Sequence, residues 1–125
     1  MKGTHIVADF IWDVDLENIN YVLLAYKVFD IMKKAIQRSG MKNVHEKLVV
    51  LDGDTPEGFT SVILLDESHI TSHCYSSEGL LAIDIFTCGN SDTTKIMDFV
   101  QIELLSIFQT LKCVYRDKYK RFRCN

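Results

Sequence analysis

The sequence predicts an α+β fold, a two-layer sandwich in which an antiparallel β-sheet is covered on one face by two helices. Three observations predict it. Six short stretches are rich in β-branched and aromatic residues, and two longer ones carry apolar residues at helical spacing. Their order reads β-α-β-β-β-β-α-β, with short connections through the middle. Residues 5–12 form the first strand, and Asp13 or Asp15 is placed to cap the first helix. Ile19, Val22, Leu23, Tyr26, Phe29 and Ile36 recur at helical spacing up to Gly40, a natural C-terminal stop. Residues 48–51 are a short apolar strand, and the segment 52–58, with the single proline, is a loop. Residues 60–65, 68–75 and 80–87 read as three strands in succession. Ser91 opens a second helix bearing Ile96, Phe99, Val100, Leu104, Ile107 and Phe108, and residues 113–119 are the last strand. The strand faces are only partly polar. The face without helices is therefore expected to be covered by a second copy of the chain.

The 125 residues make a single domain, 1–125, large enough to bury a core without disulfide staples. A net charge of −3 gives no general attraction to nucleic acid or to an anionic membrane. The basic run 116–123 reads as a solvated C-terminal tail. The cysteines at 74, 88, 113 and 124 make no C-x-x-C pair, so no zinc site is expected. His69 and His73 share a strand face but stand roughly 13 Å apart by the strand rise, too far to share a metal ion. No leader is visible, and no apolar run approaches the ~20 residues of a membrane span. The expected location is the cytoplasm, with reduced thiols.

The informative text is Asp66-Glu67-Ser68-His69-Ile70, then Ser72-His73, then Phe86-Thr87-Cys88-Gly89. On residue chemistry alone Ser68 is a turn serine, His73 a strand histidine and Cys88 a small buried apolar residue. Together, and with strand-like sequence between them, they allow a serine to attack its own backbone.

The run from Gly58 through His73, followed by Ala82-Ile83-Asp84-Ile85-Phe86-Thr87-Cys88-Gly89, resembles the core of the small prokaryotic S-adenosylmethionine decarboxylase proenzymes. The opening His5-Ile6-Val7-Ala8-Asp9-Phe10 is similar to that family's first strand. The resemblance implies self-cleavage between Glu67 and Ser68, giving fragments 1–67 and 68–125, with a pyruvoyl cofactor made from Ser68. It implies that His73 is the processing base and that Cys88 returns a proton to the substrate. It also implies that Thr60, which stands where the family has a serine, supports processing with its hydroxyl. A pyruvoyl ketone takes a substrate α-amine as a Schiff base and accepts the electrons released with carbon dioxide. The implied activity is an amino-acid decarboxylation in polyamine synthesis, by a homodimer of cleaved protomers that binds no nucleic acid and no membrane.

The chain departs from the family where substrate is held. An aromatic residue is usual six positions before the serine that Thr60 replaces; here it is Asp54. A Pro-Glu pair is usual after the histidine segment; here the glutamate's place is taken by Ser77, with Glu78 one place late, while Tyr75 keeps an aromatic position. Asp54, or equally Glu57, suits a cationic substrate tail, which tilts the expectation toward L-arginine or L-ornithine. S-adenosylmethionine is the alternative substrate. A catalytically dead regulatory homologue is the alternative of another class.

Overall fold

Alternation of apolar and polar residues builds the sheet, and it survives in the burial of every central strand. The computed structural model describes residues 3–51, 56–88 and 91–122. Among these residues six strands form one antiparallel sheet in the order β2-β3-β4-β5-β1-β6. They are β1 (Gly3–Ile11), β2 (Asn43–Leu51), β3 (Gly58–Leu65), β4 (Ser68–Tyr75), β5 (Leu80–Thr87) and β6 (Lys112–Arg121). Helix α1 (Tyr21–Ser39) follows β1, and α2 (Thr93–Leu104) follows β5. One sheet face presents Ile6, Ala8, Phe10, Phe59, Ile63, Ile70, Ile83 and Ile85 to both helices, and all are buried. The element order and the two-layer, α+β architecture are those the sequence predicts. Among the described residues no helix is long and apolar enough to cross a membrane.

The local signals explain the helix ends better than the helix faces. Gly40 stops α1 in the left-handed region at φ 77°, where its N–H donates to the Gln37 carbonyl. The cap at the other end is Asn20, whose side chain accepts the Leu23 N–H at 2.9 Å, and not Asp13 or Asp15. Asp13 instead closes a turn of its own, accepting the Asp15 N–H. The buried stripe of α1 is Leu24, Ala25, Val28, Met32, Ala35 and Ile36, joined by Phe29 and Ile31. Val22, Leu23 and Tyr26, expected on that stripe, are at least half exposed. Apolar residues cover so much of this helix that spacing alone admits more than one face. Asp92, not Ser91, caps α2, accepting the Thr94 and Lys95 N–H groups. The helix ends at Leu104, and Phe108 lies beyond it, packed on Trp12 with ring centroids 4.5 Å apart.

Two further expectations change. β2 begins at Asn43 rather than at residue 48, because its first half is polar and lies on a sheet edge, where burial does not select apolar residues. The basic run is no tail. Arg116 and Lys118 lie in β6 and reach α2, Arg116 to Asp98, Gln101 and the Thr94 carbonyl, Lys118 to Thr94 Oγ1.

Gly58 is fixed by close approach. A Cβ there would stand 1.9 Å from the Cys74 carbonyl oxygen across the β3–β4 ladder. Gly58→Ala is expected to destabilise the fold by roughly 1–3 kcal/mol, the usual range for overpacking. Urea unfolding in a Ser68→Ala background, where one uncut species unfolds, measures it.

Candidate active site

The β3–β4 hairpin sets the site. Leu65 pairs with Ser68, which leaves Asp66-Glu67 as a two-residue loop. Glu67 has φ 80°, and it is one of two non-glycine residues with positive φ among those described. Two-residue hairpins favour turns with positive φ at the first or both loop positions, whereas here only the second has it. A side chain in this region costs on the order of 1–2 kcal/mol. The strain therefore falls on the residue that supplies the carbonyl of the Glu67–Ser68 bond. The turn is tied down by the Asp66 N–H, which donates to the Lys42 carbonyl at 3.3 Å.

Cys88, just past the end of β5, completes the cluster. Its N–H donates to Ser68 Oγ at 3.1 Å. Its Sγ accepts from the Ser68 hydroxyl at 3.9 Å and donates to Glu67 Oε2 at 3.3 Å. Three of the residues singled out in the sequence thus meet at one end of the central strands β4 and β5.

Thr60 and His73 make a separate pair. They stand opposite each other on β3 and β4, with Thr60 Oγ1 2.8 Å from His73 Nδ1. The His73 ring meets Tyr75 edge-on at 4.9 Å. From Ser68 to His73 is five strand residues, roughly 16 Å at the usual rise, and the odd spacing puts them on opposite sheet faces. Within one chain His73 does not reach Ser68, because strand pleating and rise forbid it. A cavity of about 300 Å³ opens on the face of His73, lined in part by Asp9, Ile11, Tyr75, Leu80 and Val114.

The expected substrate contacts lie around that second place. Glu57 precedes Gly58, which pairs with Tyr75, and the Glu57 carbonyl accepts the Ser76 N–H. Glu78 is exposed in the 3₁₀ turn Ser76–Glu78 that follows β4. Asp54, Gly89 and Cys124 lie outside the described residues.

Sequence reasoning missed an aromatic cluster beside the Ser68 end. His69 stacks on Phe86 at 5.5 Å, and His5 approaches the same ring at 6.2 Å. His5 Nδ1 is 3.3 Å from an Arg121 nitrogen, while its Nε2 is buried without a partner among the described residues. The three residues sit on strands far apart in sequence, and only the register His5–Phe86–His69 brings them together.

The family model for S-adenosylmethionine decarboxylase matches residues 4–116. The S-adenosylmethionine decarboxylase proenzyme of a Sulfurihydrogenibium species is 34% identical over 99 residues, covering 78% of this chain and 69% of that protein. The proenzyme of Geobacillus kaustophilus is 27% identical over 99 residues, covering 78% and 73%. The crystal structure of the adenosylmethionine decarboxylase from Aquifex aeolicus superposes with a TM-score of 0.69 at 22% identity, covering 99% of this chain and 93% of that one, and shows the shared fold. Fold and likeness together define a decarboxylase, an enzyme of the carboxy-lyase class. The chain belongs to the S-adenosylmethionine decarboxylase family.

His5 is held below the ordinary histidine value of 6.5, chiefly by burial, with Asp84 opposing and Arg121 and His69 adding to the depression. The unfolded chain therefore binds this proton at higher pH than the folded one. The stability is fully present above the unfolded value and falls as the pH drops below it. In the Ser68→Ala background the urea midpoint is expected to fall between about pH 7 and pH 5.5, and to fall less in the further variant His5→Gln.

Proposed function

We propose that the chain is a proenzyme that cuts itself between Glu67 and Ser68 and then decarboxylates S-adenosylmethionine as a homodimer. The observation that carries this reading is the cluster of Ser68, Cys88 and the positive-φ Glu67 at one strained turn. Attack of Ser68 Oγ on the Glu67 carbonyl carbon exchanges the amide for an ester. Elimination across the Ser68 side chain releases fragment 1–67, with Oγ leaving as part of its new carboxylate. Hydrolysis of the enamine left at position 68 yields the pyruvoyl end of fragment 68–125.

The residues present fit that group. Position 68 opens β4 and stays paired in the sheet, and the Cys88 thiol stands beside it. When formed, the group supplies a ketone that takes the substrate α-amine and draws off the electrons released with carbon dioxide. Cys88 holds the proton to be returned to the α-carbon. His73, oriented by Thr60, is the base for the elimination. Its distance from Ser68 within one chain supports service across a dimer, in which His73 of one copy acts on Ser68 of the other. The exposed Ile11, Leu64, Tyr75, Leu80, Tyr115 and Tyr119 on the helix-free face support pairing there.

The names of the relatives favour S-adenosylmethionine, and the comparisons do not support the tilt toward L-arginine or L-ornithine. That tilt rests on Asp54 and Ser77, against a family likeness that runs through most of the chain. The Thr60–His73 bond supports an active enzyme over an inert regulatory homologue, since it keeps the hydroxyl in use.

Intact-mass analysis is expected to show two fragments, with 68–125 reactive toward phenylhydrazine; a single uncut 14.4 kDa chain would sink the reading. Turnover of S-adenosylmethionine, L-arginine and L-ornithine side by side is expected to favour the first, and exclusive turnover of either amino acid would overturn the substrate assignment. Co-expression tests the shared site. Ser68→Ala and His73→Ala are each expected to stay uncut alone. Together, the His73→Ala chain is expected to be cut; failure of complementation would place the whole site in one chain.

A further inference from the structure

We propose that Glu67 is the base for the first step of its own cleavage, acting through the Cys88 thiol; this rests on the self-processing reading above. The atoms form a directed chain. The Ser68 hydroxyl donates to Cys88 Sγ at 3.9 Å, and Cys88 Sγ donates to Glu67 Oε2 at 3.3 Å. The Cys88 N–H, 3.1 Å from Ser68 Oγ, holds the oxygen in place and leaves its proton pointing along this path. The first contact is long, as hydrogen bonds of a catalytic site commonly are before reaction. Glu67 thus presents the carbonyl to be attacked and, by its side chain, the acceptor for the attacker's proton.

The step balances without any further reagent. Oγ bonds to the Glu67 carbonyl carbon as the hydroxyl proton moves to Sγ and the thiol proton moves to the Glu67 carboxylate. The five-membered oxyoxazolidine then collapses: the C–N bond breaks, its electron pair stays on the Ser68 nitrogen, and the relay runs backward to protonate it. The products are an ester and a free amine, with carboxylate and thiol restored. The relay lies within one chain and needs no second copy. His73, on the other sheet face, is left with the later removal of the α-proton at position 68. The two bases therefore act on successive steps, and a variant of each stalls at a different species.

The experiment tracks freshly translated full-length chain by intact mass, with and without hydroxylamine, which splits an ester and spares an amide. Glu67→Gln is expected to lengthen the life of the uncut chain at least about a hundredfold, the low end for loss of a general base, and hydroxylamine is expected to release nothing from it. His73→Ala is expected to stall as a species that hydroxylamine splits. In Glu67→Ala, added formate is expected to restore cutting severalfold, and chloride at equal ionic strength is not. Because rescue requires a folded site, it separates a missing base from a damaged turn. A Glu67→Gln chain cut at the wild-type rate overturns the relay, as does a stall of that variant at the ester. A slow Glu67→Ala that formate does not help also overturns it. A wild-type chain that never cuts overturns the self-processing reading itself.

Discussion

The pairing of Leu65 with Ser68 is the constraint on which the rest of the site depends. A two-residue loop leaves Asp66 and Glu67 no room to relax, so Glu67 takes a backbone conformation that a side chain resists. The same register sets Ser68 at the first position of β4, beside the last residues of β5 and under the Cys88 N–H. A slip of one residue would turn every side chain of β4 over. His73 would leave the open face, Ile70 would leave the core, and Ser68 would lose Cys88. The buried ladder against the helices prevents such a slip.

Division of labour between the two sheet faces is the second feature. The helix face is filled by Phe10, Phe59, Ile63, Ile70, Ile83 and Ile85 and carries the stability. Even there the chain buries the paired hydroxyls of Ser61 and Ser72, 2.5 Å apart, with Ser61 also donating to the Met32 sulfur at 3.4 Å. Each satisfies the other, so the pair is tolerated. The open face carries histidines, tyrosines and aspartates among exposed apolar side chains. The helices take the stability requirement off that face, and it is free to hold titrating groups and a cavity. Polar contacts also tie the ends of the molecule together. Glu17 accepts the Gln109 and Thr110 N–H groups and so joins the loop before α1 to the loop before β6.

Some of the site was legible in the sequence because its residues are close along one hairpin. Glu67 and Ser68 are adjacent, and two residues of loop between two clear strands make a hairpin whatever lies around it. Thr60 and His73 are thirteen positions apart but opposite in that same hairpin, so their contact is a consequence of the register. Cys88 is harder, since it meets Ser68 through β4–β5 pairing and the end of a strand. His5, Phe86, His69 and Arg121 were not legible at all. They come from four strands, and β1 enters the sheet between β5 and β6, an order that alternation cannot reveal. The α1 stripe was misread for a similar reason: Val22, Leu23 and Tyr26 are as apolar as their buried neighbours, and only the sheet beneath decides which side is inside.

The sequence by itself determined the number, type and order of the elements, the Gly40 stop, the covered and uncovered layers, and the family to which the Glu-Ser-His and Phe-Thr-Cys text belongs. Those properties are local, set by periodicity, turn chemistry and short motifs. The tertiary structure alone decided that Glu67 is strained, that its carboxylate meets the Cys88 thiol, and that His5, Phe86 and His69 come together. Distances between strands and the face each side chain takes depend on the pairing of the whole sheet. No window of residues contains that information, because each strand's register is selected by burial against partners elsewhere in the chain.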